Sequence, residues 1–213
     1  MDDFNFTAFW EDSDYARKEY VGAPVTDEMI QSVQAALGYR LPKTYVQLLR
    51  YQNGGIATKT CHRTSLPTSW AKDHVAITGI YGLDPARPSS LCGKFSSKFW
   101  TEEWGYPDIG IYFADCPSAG HDMLCLDYRK CGPDGEPTVV HVDQESGYEI
   151  TPVADNFESF IRGLEDESTF EEKDEPDEPV GKSWKCSKCG EELEPQFESC
   201  WSCGTAREDD HAG

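Results

Sequence analysis

The apolar residues of segment 23–42 recur at the spacing of an α-helix. One face carries Met29, Ile30, Val33 and Leu37. Thr26 is a favoured N-cap, and the two acids after it suit the positive end of a helix dipole. Gly38 stands where helices commonly stop. The pattern therefore predicts a capped amphipathic helix.

Two further helices are predicted on either side of a central region. Leu41-Pro42 opens the second helix, because proline is tolerated in a first helical turn. Its apolar stripe is Tyr45, Leu48 and Leu49. The last helix spans residues 153–164, and its apolar face is Ala154, Phe157, Phe160, Ile161 and Leu164.

Between these helices the apolar pattern changes to the alternation that is typical of strands. Strands are predicted over residues 74–82, 108–115, 122–128, 137–143 and 148–151. The segment between the third and fourth is rich in turn formers, so these two strands form a hairpin. The order of helices, antiparallel strands and a closing helix predicts an α+β fold.

The charge pattern divides the chain into three parts. Residues 165–179 contain nine acids, one lysine and a single large apolar side chain, Phe170, so they cannot form a core. We therefore expect an α+β domain over residues 1–164, an acidic flexible linker over 165–181 and a small domain over 182–206. A spacer role for the linker is favoured over mimicry of nucleic acid.

The chain has nine cysteines, and the four that lie in the predicted small domain have the spacing of a metal site. They form two CxxCG motifs separated by ten residues: Cys186, Cys189, Cys200 and Cys203. Each motif points two sulfurs at one ion, and four thiolates complete the tetrahedral set that zinc prefers. Because no ligand position stays open, we predict one structural Zn²⁺, covered by Trp184, Phe197 and Trp201. A redox or iron–sulfur site is the disfavoured alternative.

This segment resembles a zinc ribbon. Its Trp-x-Cys opening and ten-residue gap are also similar to the Ran-binding-type zinc finger, which has an asparagine at the position of Leu193. Because of that departure, we do not carry over the single-stranded RNA or ubiquitin binding of that finger. The segment is interpreted as a protein-contact or stabilising appendage.

A second resemblance covers residues 8 to 164. Trp10, "TDEMI", "LGYRLPKTYVQLLRYQNGG", "DIGIYFAD", "GHDMLCLDY", "VVHVD" and "FESFIRGL" follow one another as in the SUKH superfamily. That family includes yeast cell-wall-synthesis regulators and bacterial immunity proteins that neutralise toxins, often nucleases. The resemblance implies helices packed on a mixed sheet. We thus expect a mixed, largely antiparallel sheet packed with N-terminal and C-terminal helices.

The stretch 116–143 also contains residue types found in hydrolases. Ser118, His121 and Asp122 are too close in sequence for an ordinary triad, and no GxSxG motif occurs. A nucleophilic Cys116 or Cys125 with His121 or His141 as base stays open as an alternative. A second metal site of Cys116, Cys131, His121 and His141 matches no known spacing and is disfavoured. We expect His141 to be a partly buried structural residue and Asp127 to face solvent or a turn.

One cluster combines aromatic and acidic residues, as a protein-contact surface does. Segment 97–108 holds Trp100, Tyr106 and the candidate partner-binding residues Glu102, Glu103, Trp104 and Asp108. The aromatic residues equally suit a lid over the sheet, which is slightly favoured.

Net charge and composition narrow the function classes. The formal charge of −20 disfavours direct binding to nucleic acid and favours a basic protein partner. With no apolar run of membrane-spanning length and no signal-peptide pattern, we expect a cytoplasmic protein without a membrane partner. The leading hypothesis is a non-catalytic immunity protein that binds a cognate toxin, possibly a nuclease. A scaffold or regulatory protein is the alternative, and a cysteine or serine hydrolase is less favoured.

Overall fold

The computed structural model describes residues 3–170 and 183–207. The chain divides into two compact units: a main unit that ends at Phe170 and a C-terminal unit that begins at Glu171. Within the described ranges, no helix has both the length and the hydropathy that crossing a membrane requires.

The main unit contains six α-helices in its described part. Their bounds are α1 Phe6–Phe9, α2 Asp14–Glu19, α3 Asp27–Leu37, α4 Lys43–Tyr51, α5 Ser97–Glu103 and α6 Phe157–Arg162. The Thr26 side chain accepts the Met29 N–H, and α3 ends before Gly38, so the predicted cap and stop are confirmed. Pro42 lies one position earlier than expected, at the N-cap of α4.

The strands of the main unit form two antiparallel sheets. Their bounds are β1 Cys61–Arg63, β2 His74–Ala76, β3 Gly79–Ile80, β4 Gly110–Asp115, β5 Asp122–Asp127, β6 Thr138–Asp143, β7 Glu149–Ala154 and β8 Leu164–Glu165. The larger sheet is a meander in the order β3-β4-β5-β6-β7, and the smaller has the order β2-β1-β8. An isolated bridge between Gly82 and Ser90 is parallel. The helices and the antiparallel sheets together confirm the predicted α+β fold with a largely antiparallel sheet.

Two predicted elements differ from those observed. The strand predicted over 74–82 is divided, because β2 joins the small sheet while β3 joins the meander. Between them, the Ile77 N–H donates to Thr60 and the Thr78 N–H to Asp115, each through the backbone. The last helix begins at Phe157, later than predicted, because residues up to Ala154 continue β7 and Asn156 caps the helix.

Strand β7 is an edge of the meander. Pro152 lies inside it, opposite Val140, and the pairing register shifts between Val139 and Val140. Proline has no N–H to donate to a ladder, so this edge position is one of the few that accept it.

Aromatic side chains join the helices to the meander. Tyr45 of α4 and Phe113 of β4 contact Phe157 of α6, with ring centroids 4.6 and 5.6 Å from it. Phe113 also contacts Phe160 at 5.5 Å. The Tyr45 hydroxyl donates to the Tyr81 carbonyl at 2.5 Å, so its polar end is satisfied inside the core.

The main unit continues six residues beyond the predicted start of the linker. Leu164–Glu165 pairs with β1, and Glu167–Thr169 forms a short 3₁₀ helix. The Phe170 ring lies 4.2 Å from the His74 ring, and the Arg63 guanidinium lies 4.7 Å from the Phe170 centroid. These contacts supply apolar burial that composition alone does not predict. The rest of the predicted linker, residues 171–181, lies outside the described residues.

The C-terminal unit is described from Ser183 to Arg207. Strand β9, Trp184–Lys185, pairs with β10, Glu192–Leu193, in an antiparallel ladder. A further bridge joins Ser199 to Ala206. Residue 182, the first of the predicted small domain, is not among the described residues.

Candidate functional site

The two CxxCG motifs of the C-terminal unit fold into matching turns. The carbonyls of Cys186 and Cys200 accept the N–H groups of Gly190 and Gly204, at 2.9 and 2.7 Å. Both glycines are left-handed, with φ of 74° and 70°, a conformation that side-chain-bearing residues rarely adopt. The glycine that ends each motif therefore allows the turn that brings its two sulfurs together.

These turns place the four sulfurs around one point. The sulfurs of Cys186 and Cys203 lie 3.5 Å apart, as do those of Cys189 and Cys200. All four lie within 4.8 Å of one another. A tetrahedral ion with metal–sulfur bonds of about 2.3 Å has sulfurs about 3.8 Å apart. The four cysteines of the C-terminal unit could thus hold a metal ion.

Local donors favour thiolates at two of these sulfurs. The N–H groups of Cys189 and Lys188 lower the pKa of Cys186, against the effect of burial. The hydroxyl and N–H of Thr205 lower the pKa of Cys203 to about 6. Cys189 differs: the Glu191 N–H lowers its pKa, but the neighbouring Cys200 and Cys203 sulfurs outweigh that donor and raise it to about 12. Four crowded sulfurs thus resist full ionisation unless a cation joins them.

The apolar cover of this cluster differs from the expected one. Leu193 is buried against Cys186 and Cys200, and Trp184 is half-buried beside them. The Trp184 ring N–H donates to the Phe197 carbonyl at 2.9 Å. Phe197 and Trp201 are 42% and 68% exposed, so the prediction that they cover the sulfurs is wrong. The CxxC turn directs the Trp201 side chain outward because its two flanking cysteines point inward.

The aromatic and acidic cluster of segment 97–108 forms helix α5 and the turn after it. Trp100 and Tyr106 are buried, and the Tyr106 hydroxyl donates to the Gly120 carbonyl at 2.8 Å. These aromatic residues pack over the β4–β5 connection as the predicted lid. Glu102 and Glu103 are exposed at the end of the same helix.

Trp104 lies between this lid and a neighbouring loop. It is half-buried, with its ring 5.4 Å from Trp100 and 6.0 Å from His121. His121 approaches Glu145 at 3.3 Å. Asp108 is exposed four residues further along the chain. We call Glu102, Glu103, Trp104 and Glu145 the acidic patch; no contact joins Asp108 to it among the described residues.

The stretch that carries Ser118, His121 and Asp122 is a turn leading into β5. The Ser118 hydroxyl oxygen accepts the Asp122 N–H at 3.0 Å, and the His121 ring faces Gln144 and Glu145. A pocket of about 100 Å³ opens here, lined by Ser69, Trp70, Ser118, His121, Asp122, Asp143 and Glu145. Ser118 therefore serves turn geometry in this arrangement.

Beneath that turn, Asp122 and His141 form a buried pair. Their residues are 2% and 1% exposed, and Oδ2 of Asp122 lies 2.6 Å from Nε2 of His141. The sulfur of Cys116 joins them, with all three ligand atoms within 4.8 Å of one another. Burial raises the pKa of Cys116 and also that of Cys125, so both thiols are poor nucleophiles. Cys116, Asp122 and His141 are called the buried cluster.

This cluster differs from the second metal site considered from sequence. Cys131 is exposed and bonds to the Tyr128 and Gly132 carbonyls, and His121 is exposed as well. Sequence spacing does not indicate Asp122 as a ligand, because its contact with His141 depends on the β5–β6 register. Asp127 is the last residue of β5 and is buried, and it faces the turn that follows, where it accepts the Arg129 N–H and pairs with the Arg129 guanidinium.

Comparison with protein families identifies the family of the main unit. The family model described as SMI1 / KNR4 family (SUKH-1) matches residues 24–163, about two thirds of the chain. The matched range includes α3 to α6 and all five strands of the meander. The resemblance seen from residue 8 thus begins at residue 24 in this match, although Trp10 packs in the same core. No match to this chain was found among curated proteins.

Proposed function

The chain belongs to the SMI1/KNR4 family, SUKH-1, and on that premise we propose that its main unit binds another protein without catalysing a reaction. The family match over the whole meander is the observation that carries this proposal. The finer proposal is an immunity protein, acting in the cytoplasm, that covers the active site of a cognate toxin. Its action is stoichiometric.

The acidic patch supports a basic partner. The exposed carboxylates of Glu102 and Glu103 directly precede the half-buried Trp104, and Glu145 approaches His121, whose ring lies 6.0 Å from the Trp104 ring. Aromatic anchors that are ringed by charge are common at the centre and rim of protein interfaces. With a net charge of −20, the chain also steers basic proteins toward itself at long range. Direct binding to nucleic acid is not part of the proposal, since the same charge repels phosphates.

The buried state of Cys116 and Cys125 supports the non-catalytic part of the proposal. A nucleophile must reach its substrate, and these thiols are 3% and 0% exposed. The Ser118 hydroxyl accepts the Asp122 N–H, and among the described residues no hydrogen bond joins it to a histidine ring nitrogen.

Co-expression with the product of the neighbouring reading frame tests the proposal. If that product is the proposed toxin, the chain is expected to restore growth to cells that produce the toxin. The chain is also expected to purify with the toxin in a one-to-one complex. The double substitution Glu102→Lys and Glu103→Lys is expected to weaken the complex at least tenfold, with a larger loss at low salt.

Glu11→Lys is the matched control for Glu102→Lys alone, because both make the same charge change and Glu11 lies beside the Trp10–Ala57 bridge, outside the acidic patch. Equal weakening by the control and the patch variant would argue against this patch. No rescue by the chain, together with stable complexes with several unrelated proteins, would favour a scaffold or regulatory role.

For the C-terminal unit we propose one structural Zn²⁺, held by Cys186, Cys189, Cys200 and Cys203. The support is the donor set: four sulfurs at near-tetrahedral spacing with no open position. The ion stabilises a unit that has almost no core, so this unit acts as an appendage and not as a second catalytic centre.

A further inference from the structure

The buried cluster of Cys116, Asp122 and His141 draws on three parts of the meander. Cys116 follows the end of β4, Asp122 begins β5 and His141 lies in the middle of β6. Their sulfur, oxygen and nitrogen atoms lie within 4.8 Å of one another, and all three residues are buried. Thiolate, carboxylate and imidazole are all ligands of divalent transition ions.

Hydrogen bonding within the cluster is incomplete. Nδ1 of His141 and Oδ1 of Asp122 are buried without a hydrogen-bond partner among the described residues. A buried polar atom left without a partner costs about 1–3 kcal/mol. The bond between Nε2 and Oδ2 therefore leaves Nδ1 of His141 unsatisfied, and the Cys116 thiol lies within reach of the Asp122 carboxylate.

Charge favours an ion at this position. One thiolate, one carboxylate and one neutral imidazole balance a divalent cation, so the loaded cluster has no net charge in a buried place. Asp122 also lines the 100 Å³ pocket, which gives the ion an entry path and a water as fourth ligand. On these grounds we propose that Cys116, Asp122 and His141 bind a second divalent transition ion of the Zn²⁺ type.

Binding requires a small, definite rearrangement. Nitrogen and oxygen ligands around tetrahedral zinc lie about 3.3 Å apart, so the 2.6 Å contact between Asp122 and His141 must lengthen by about 0.7 Å. The Cys116 thiol proton leaves to solvent as the metal–sulfur bond forms. The ion would then join β5, β6 and the residue that follows β4, and it would fix the turn at 117–121.

Metal content of the full chain tests the proposal, because the two sites can be removed separately. We expect two zinc ions per chain. The double substitution Cys200→Ser and Cys203→Ser should leave one, and Asp122→Asn should also leave one. Cys125→Ala is the matched control, since this thiol is equally buried but lies outside the cluster, and it should leave two.

Cobalt gives a readout that needs no substitution in the core. In the chain with Cys200→Ser and Cys203→Ser, Co²⁺ should give the visible bands of a tetrahedral site with a single sulfur ligand. It should also slow amide exchange at residues 117–121. A variant that holds no metal and gives no such bands would overturn the second site, while leaving the proposed partner binding untouched.

Discussion

The two units of this chain differ in how much apolar surface they bury. The main unit buries a continuous cluster of apolar side chains that extends from Phe9 to Leu164. The C-terminal unit buries only Leu193 and two of its own cysteines in its described part. A segment with so little apolar burial cannot offset the entropy of ordering its chain. With the proposed ion bound, metal ligation in the small unit would replace what aromatic packing does in the large one.

The largest expected loss of structure follows from the removal of one cysteine sulfur in the C-terminal unit. Cys200→Ser is expected to unfold the C-terminal unit completely, because ligation of structural zinc contributes about 10–16 kcal/mol in comparable peptides. The main unit should keep its melting temperature. Backbone NMR and zinc content measure both effects in one sample, and Ser202→Ala is the control. A C-terminal unit that stays folded without metal would show that its fold does not depend on metal ligation.

The second prediction concerns a substitution in the apolar core of the main unit. Phe157 is fully buried between Tyr45 and Phe113, so Phe157→Ala should lower the free energy of unfolding by about 3–5 kcal/mol. Urea titration measures the loss, and the zinc content of the C-terminal unit should not change. Phe197→Ala, which removes an exposed ring, is the control. A loss below 1 kcal/mol for Phe157→Ala would contradict the packing described here.

Buried carboxylates give the main unit a pH dependence. Burial raises the pKa of Asp115 to about 6, although the Tyr20 hydroxyl donates to it. The folded state then binds more protons than the unfolded state between about pH 4 and pH 6, so stability falls as pH rises through this window. Asp115→Asn should raise the free energy of unfolding by about 1–3 kcal/mol at pH 7 and leave it unchanged at pH 4.

Asp127 has a pKa shift in the opposite direction to that of Asp115, so its effect on the pH dependence of stability is also opposite. Burial opposes ionisation there, but the hydrogen bonds from the Arg129 side chain and N–H outweigh it and lower the pKa of Asp127. Its contribution to stability is present above about pH 4 and is lost as pH falls through its lowered pKa. Asp127→Asn should therefore destabilise the main unit at pH 7. Urea titrations of both variants at pH 4 and pH 7 check the two signs, and a loss of stability in both at pH 7 would contradict this account.

The smallest expected effect concerns the two tryptophans of the C-terminal unit. Trp184 packs beside the cysteines and donates to the Phe197 carbonyl, whereas Trp201 is 68% exposed. Trp184→Ala should weaken cobalt binding severalfold, and Trp201→Ala should leave it nearly unchanged. Competitive titration with a chelator measures both affinities. Equal losses would show that Trp201 contributes cover after all.

Local patterns were enough to predict some elements. Helix α3 has its own cap and stop, and β5 and β6 have continuous apolar runs that end in turn formers. The four cysteines needed only their spacing, because each CxxCG turn is a local structure. Family membership followed from motifs that span most of the meander.

Other features depend on distant contacts and could not be predicted in the same way. Helix α5 begins at Ser97 without a side-chain cap, so packing of Trp100 and not a local signal fixes it. Strands β1 and β8 are three and two residues long, too short for periodicity. The buried cluster unites residues of β5 and β6 with the residue that follows β4, and only the register brings Asp122 to His141.

The proline in β7 bears on how a partner can attach. Pro152 and the register shift beside it leave the outer rim of the meander without a regular row of donors. The opposite rim, β3, is two residues long, and Ile80 there already bonds with Gly55. Another chain cannot readily lengthen this sheet by adding a strand of its own. Contact of the proposed partner with the meander would then proceed through side chains, which would make it sensitive to single substitutions and selective among related partners.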